Sequence, residues 1–171
     1  MTDHPGQRAL GITAHTGWAA CVIVQGTLRK PQVLRNEFIR ILEGPERFCF
    51  HRASEMPLQA AQEWIQQIRG KARAGAKRTL MPLLAEGVIK CAIVATEGTS
   101  DNLQEVLKSH ARIHSAEAHF YRDVLSEIST VPVRVITPSS LDVAKVGRLA
   151  APPWGRDQKL AALAAWSVLR D

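Results

Sequence analysis

Apolar runs separated by turn-forming residues dominate the first forty positions of the chain. Residues 9–14 and 18–25 are mostly apolar, and the three residues His15, Thr16 and Gly17 separate them. This pattern predicts two strands joined by a tight hairpin. Another turn follows at Gly26, after which the alternating residues 32–42 predict a third, half-buried strand.

The middle of the chain changes to helical periodicity. Residues 44–57 follow no regular pattern, so we predict an irregular segment there. Apolar residues then recur every three or four positions over residues 57–69, which predicts a helix with Pro57 at its first turn. Across residues 70–78 there are two glycines and no apolar residue larger than alanine. We therefore predict that the helix weakens there and that residues 79–86 form a separate short helix.

The remaining elements complete the predicted order. Residues 88–96 form a continuous apolar run, which is typical of a strand covered on both faces and places it at the centre of the sheet. Residues 101–110 and 115–128 are predicted helices, 131–138 a buried strand and 156–170 an amphipathic helix. The order β-β-β-α-β-α-β-α predicts an α/β fold with a mixed five-stranded sheet, three antiparallel strands followed by two parallel ones, flanked by helices.

Composition narrows the class of protein. With 171 residues, of which 46% are hydrophobic, the chain can bury one core, so we expect a flexible N-terminus at 1–8 and a single domain at 9–171. A formal charge of +6 favours an anionic partner such as DNA or RNA. Three widely spaced cysteines favour reduced thiols and a cytoplasmic protein. No apolar segment approaches the ~20 residues that span a bilayer, so no membrane partner is expected.

A set of short motifs lies at the ends of the predicted strands and helices. Gly11 and Ile12 lie in the first strand, Thr-Gly-Trp follows at 16–18, and Glu97 comes directly after the strand at 88–96. The helical residues 114–125 lead into 131–147, and Asp157 opens the last helix. With these motifs and this order of elements, the sequence resembles the ribonuclease-H-like superfamily, and within it the RuvC-type crossover-junction (Holliday junction) resolvases.

The resemblance implies a two-metal nuclease centre that is incomplete here. Such resolvases hold two divalent ions with four carboxylates, one on the first strand, one after the fourth and two on the last helix. Glu97 and Asp157 match two of these positions and are the candidate catalytic and metal-ligating residues. Thr13 stands where the first-strand aspartate belongs, and Leu160 stands three positions after Asp157. With two of four ligands, Mg²⁺ binding is predicted to be weak or absent.

Both acids also have an ordinary structural explanation. Glu97 lies at a strand end before a glycine, where a solvated loop acid is about as common as a site residue. Asp157 near a helix start can simply favour the helix dipole, worth about 0.3–1 kcal/mol, and we prefer that interpretation.

A second group of candidate ligands follows in the next helical region. His110 and His114 are four residues apart, and Glu117 and His119 come close behind. This spacing can bring two imidazoles to one metal ion. Ser115, however, is a plausible helix start, and a helix that begins there would not place His114 on one face with Glu117 and His119. Solvated histidines are therefore the favoured interpretation.

A basic run offers a nucleic-acid-binding surface. It contains five cations and no acid between Glu63 and Glu86. Such a run binds phosphates through charge, although it is more often a solvated helix face. Trp154, in a proline-rich loop, is either a stacking platform for a base or, by preference, a cap on the core. The candidate nucleic-acid-binding cations are Arg69, Lys71, Arg73, Lys77 and Arg78.

Three hypotheses of function remain. The first is a ribonuclease-H-like domain with an incomplete nuclease metal site that binds nucleic acid or a protein partner, including a second copy of the chain. The second is an active resolvase-like endonuclease in which Asp142 or a histidine completes the metal shell. The third is a nucleotide-binding or small-ligand-binding relative in the actin-like branch, which is the weakest because residues 13–17 contain one glycine where phosphate binding prefers several.

Overall fold

The computed structural model describes residues 6–27, 29–95, 102–142, 144–145, 149 and 154–169. Within these residues, five strands form one sheet, and five α-helices are present, with helices on both faces of the sheet. The described residues also include the 3₁₀ turns Pro45–Arg47 and Pro138–Ser140. The elements are β1 Arg8–His15, β2 Trp18–Gly26, β3 Pro31–Arg40, α1 Cys49–Ala53, α2 Leu58–Leu84, β4 Val88–Val94, α3 Leu103–Leu107, α4 His110–Ile128, β5 Val133–Ile136 and α5 Arg156–Leu169.

The sheet confirms the predicted fold class, but its middle strand is not the one predicted. Its strand order is β3-β2-β1-β4-β5, with β1, β2 and β3 antiparallel and with β4 and β5 parallel to β1. The strand predicted at 88–96 is therefore interior, but β1 and not β4 is the middle strand. β4 is apolar because helices cover both of its faces, and that condition also holds for β1.

Side chains alternate between two hydrophobic clusters, one on each face of the sheet. Leu10 and Ile12 of β1 point towards α2 and α4, whereas Ala9 points towards α5. Gly11 also faces α5, and a Cβ atom there would lie 1.7 Å from the backbone oxygen of Ala161. A glycine at this position therefore lets α5 pack directly on the backbone of the middle strand.

The helix predicted to weaken at 70–78 is continuous, so that prediction was wrong. α2 runs unbroken from Leu58 to Leu84. Gly70 is exposed, while Gly75 is buried and packs so closely that a Cβ atom would lie 1.8 Å from the Ile41 oxygen. Packing against the chain after β3 thus overrides the low helix propensity of glycine. The segment predicted as irregular, 44–57, likewise contains the turn Pro45–Arg47 and α1.

The predicted helix start at Ser115 was also wrong. α4 is continuous from His110 to Ile128, and the Ser115 hydroxyl donates to the Ala111 backbone oxygen at 3.2 Å instead of capping a helix. His110, His114 and Glu117 consequently lie on one helix. Within the described residues, no helix combines the length and apolarity that a membrane crossing requires.

Candidate functional site

An open cleft of about 240 Å³ lies where β1 and β4 end, between α4 and α5. Ligand sites in open α/β sheets are found at this rim, beyond the carboxyl ends of parallel strands. The cleft is lined by Thr13, Ala14, Val94, Ala95, Ala118, His119, Arg122, Pro138, Arg156, Asp157 and Leu160.

Thr13 and Asp157 connect β1 to the start of α5. The Thr13 hydroxyl donates to the backbone oxygen of Asp157 at 3.0 Å, and Thr13 is buried. The Asp157 carboxylate lies 3.1 Å from Nε2 of His15, an ion-pair distance without hydrogen-bond geometry. Thr13 occupies the position that carries an aspartate in the resembled family, and its hydroxyl group forms a hydrogen bond between β1 and α5.

Positive and neutral nitrogen groups outnumber carboxylates in this cleft. Arg122 and Arg156 line it, and Arg122 also pairs with Asp123 at 2.9 Å. Partial burial and the nearby Arg122 guanidinium lower the pKa of His119, which favours its neutral form. Among the described lining residues, Asp157 is the one carboxylate. The described part of this lining thus supplies one carboxylate, which is fewer oxygen ligands than two Mg²⁺ ions require.

A row of aromatic rings extends from the cleft across β1, β2 and β3. The His15 and Trp18 rings are stacked with centroids 4.3 Å apart, and Phe38 meets Trp18 edge-on at 5.4 Å. Phe38 is 57% exposed although it is a large apolar residue. This row was not predicted from the sequence, because the register that brings Phe38 opposite Ala20, beside Trp18, is set by strand pairing. We call these three residues the aromatic row.

The acids predicted to bind metal are only partly placed by the structure. Glu97 lies outside the described residues, so its distance from Asp157 is untested. Ala95, two positions earlier, lines the cleft. Asp142, the predicted substitute ligand, accepts the Ala144 backbone N–H at 3.1 Å and lies 3.7 Å from Nζ of Lys145, so its carboxylate is used in a local turn.

Acids from elsewhere in the chain partly neutralise the basic run on α2. Arg69 and Arg73 both pair with Glu127 of α4, and Lys71 pairs with Glu46 at 2.6 Å. The remaining two cations, Lys77 and Arg78, are exposed. α2 packs on the sheet face opposite α5, and none of the five cations lines the cleft described above.

Trp154 contacts the hydrophobic cluster around α5 and is partly buried. This position agrees with the favoured interpretation of a core cap. The aromatic rings next to the cleft are those of the aromatic row.

Solved structures share this architecture. RuvC of T. thermophilus in complex with a Holliday junction substrate is 13% identical, with a TM-score of 0.56 over 94% of this chain and 91% of that one. The chain has the RuvC-type fold. The yeast mitochondrial Holliday junction resolvase is 11% identical, with a TM-score of 0.51 over 96% of this chain and 79% of that one. Because the sequence identities are this low, the similarity to RuvC establishes the fold of the chain and no shared activity. No family model and no curated protein matches the sequence.

Proposed function

We propose that the chain is a nucleic-acid-binding module with a RuvC-type fold and an incomplete nuclease metal site. The described lining of the cleft supports this proposal: among residues 6–95 and 102–169 as far as the structure describes them, two guanidinium groups, Arg122 and Arg156, share the cleft with one carboxylate, Asp157. Guanidinium groups pair with phosphate oxygens in bidentate geometry, whereas two-metal catalysis needs a cluster of carboxylates. The site is therefore suited to holding a phosphodiester backbone.

The aromatic row supplies the second kind of contact that a nucleic acid needs. Exposed rings stack on unpaired bases regardless of sequence, at about 1–3 kcal/mol per base. Trp18 and the exposed Phe38 lie on the α5 side of the sheet, adjacent to His15 and Asp157. Phosphate-binding and base-stacking groups thus meet at one rim. Because RuvC was solved with a Holliday junction, a four-way DNA junction is the first substrate to test.

Fluorescence anisotropy with labelled four-way junction, duplex and single-stranded DNA tests this proposal. Replacing Arg122 and Arg156 by alanine together should weaken binding at least about tenfold and reduce the salt slope by nearly 2, because each phosphate contact contributes about 0.9. Phe38→Ala should weaken single-strand and junction binding more than duplex binding. Arg29→Ala, in the exposed β2–β3 turn at the other end of the sheet, is the matched control and should change nothing.

The basic run on α2 gives a competing interface that the same assay can separate. Charge reversal of Arg73, Lys77 and Arg78 together is expected to reduce binding and its salt slope, while Glu97→Gln changes neither. Of these three cations, Arg73 is paired with Glu127 whereas Lys77 and Arg78 are exposed, so reversing all three lowers the general electrostatic affinity for DNA. If the α2 variant abolishes binding and the cleft variant does not, the cleft proposal is wrong. Absence of DNA and RNA affinity at low salt would contradict the whole proposal.

An active metal-dependent endonuclease is the second candidate. It is favoured by the position of Ala95, which lines the cleft two residues before Glu97. If Glu97 joined Asp157 there, two carboxylates would share the rim and could hold a divalent ion. This candidate requires cleavage that depends on a metal and on Glu97.

We also propose a reducing, cytoplasmic setting. Cys21, Cys49 and Cys91 are buried free thiols, and burial raises the pKa of Cys49 and of Cys91 to about 12, which keeps both protonated and unreactive. Recovery of the chain in the cytosolic fraction of its native cells would support this proposal, and recovery in an exported fraction would contradict it. A homodimer remains a prediction, and light scattering on the purified chain tests it.

A further inference from the structure

Three histidines from two helices meet on the side of α4 that faces α1. One ring nitrogen from each of His51, His110 and His114 lies within 4.8 Å of the other two. The ring centroids of His110 and His114 are 4.4 Å apart, and the His51 centroid lies 5.4 Å from that of His110 and 4.7 Å from that of His114. His110 and His114 are one helical turn apart on α4, and His51 belongs to α1.

A buried carboxylate orients the histidine from α1. Oε1 of Glu117 lies 2.9 Å from Nδ1 of His51, and it also accepts the His51 backbone N–H at 3.4 Å. Glu117 is 1% exposed, so its carboxyl group is held away from water. When Nδ1 of His51 donates to this oxygen, Nε2 keeps the lone pair that a metal ion requires. A carboxylate behind a histidine is the usual support of a metal-ligating imidazole.

The two helices are fixed relative to each other by contacts outside the cluster. The Trp64 indole N–H donates to the Cys49 backbone oxygen at 3.1 Å, which anchors the start of α1 to α2. Phe50 of α1 packs edge-on against Phe120 of α4 at 6.0 Å. His51 is therefore held in place, while the exposed side chains of His110 and His114 can rotate.

We infer that His51, His110 and His114 form a zinc-binding site oriented by Glu117. Imidazole nitrogens suit Zn²⁺ and related transition metals, whereas Mg²⁺ prefers oxygen. Tetrahedral bonds of about 2.0–2.1 Å require nitrogens about 3.4 Å apart, which rotation of the two exposed rings provides. The ion also compensates the buried charge of Glu117. Three protein ligands leave a fourth position for water or for an oxygen or nitrogen of a ligand.

This site is separate from the cleft, and it does not depend on the proposed nucleic-acid function. Ala118, His119 and Arg122 line the cleft from another side of the same helix. His119 is therefore a matched control: it is a histidine of α4 that lies outside the cluster.

Isothermal titration calorimetry of Zn²⁺ into the untagged chain tests the site. We expect one ion per chain, with affinity at least about tenfold weaker in His110→Ala and in His114→Ala. Glu117→Gln should weaken binding about 10–100-fold, the usual effect of losing a carboxylate behind a ligand. His119→Ala should bind as the native chain does, and Zn²⁺ should raise the Tm of the native chain but not of His114→Ala.

Some of these variants test binding without disturbing the fold. His110 and His114 are exposed, so their removal leaves the core intact, and circular dichroism of each variant checks this. His51→Ala would leave Glu117 buried without its partner and is a poorer probe. Failure of the native chain to bind Zn²⁺, unchanged affinity in both exposed variants, or an equal loss in His119→Ala would overturn the inference.

Discussion

Replacement of Gly11 by alanine tests how the fold positions the cleft. Gly11 lies on the middle strand and faces α5, the helix that carries Arg156 and Asp157. A Cβ atom at Gly11 would lie 1.7 Å from the Ala161 oxygen, 2.6 Å from the Ala161 carbonyl carbon and 3.0 Å from the Ala165 nitrogen. All three are backbone atoms, so no side-chain rotation can relieve the overlap.

The expected cost follows from this geometry. Non-bonded heavy atoms approach to about 3.5 Å, so α5 has to move away from β1 by nearly 2 Å. Overpacking costs about 1–3 kcal/mol and sometimes more, and a backbone-to-backbone overlap belongs at the upper end, about 3 kcal/mol. For a chain of this size, each kcal/mol lowers the Tm by about 2–4 °C. We expect Gly11→Ala to melt about 6–12 °C below the native chain.

The assay is thermal unfolding followed by circular dichroism, with Gly70→Ala as the control. Gly70 is exposed in the middle of α2 with nothing within 4 Å of an added Cβ, so alanine should stabilise the chain by up to about 1 kcal/mol. Gly11→Ala should also weaken junction binding at temperatures where it is folded, because Arg156 moves with α5. A Tm for Gly11→Ala within about 1 °C of the native value would refute the direct packing of α5 on β1.

Three further variants test individual contacts. Tyr121→Phe removes the hydroxyl that donates to the Arg47 backbone oxygen at 2.7 Å, and urea unfolding should show a loss of about 1–2 kcal/mol; no loss would contradict that bond. Gly75→Ala should cost about 1–3 kcal/mol through overlap with the chain after β3, and an increase in stability would argue against that contact. Burial and Arg122 lower the pKa of His119, so the unfolded chain binds the proton more readily. Stability should therefore fall as pH drops through about 6.5, and His119→Gln should reduce that fall; an identical pH profile would contradict it.

The fold was predictable from the sequence where burial decides local structure. β1, β2 and β4 are apolar runs because helices cover them, and that condition is visible in the sequence itself. The order of elements then leaves few topologies. The break predicted in α2 failed because Gly75 is a packing residue, and its close neighbour, the Ile41 oxygen, comes from a loop that local propensity does not describe.

The candidate sites were less predictable, because the residues that complete each site come from distant parts of the chain. The basic run has no acid nearby in sequence, but Glu46 and Glu127 reach it in space. His110 and His114 were noticed, whereas His51 stands alone in the sequence and joins them only through the packing of α1 on α4. A histidine in an otherwise apolar-aromatic segment, at 48–51, was the available signal for the third ligand.

Cleavage of a labelled four-way junction is the most direct test of the central claim, that this RuvC-type fold binds nucleic acid at the cleft with an incomplete metal site. The purified chain is incubated at low salt with the junction and Mg²⁺ or Mn²⁺, and the bound and cut fractions are measured on native and denaturing gels. We predict a shifted complex and negligible cutting with either ion. Metal-dependent cutting that Glu97→Gln or Asp157→Asn abolishes would contradict the claim and establish an active nuclease.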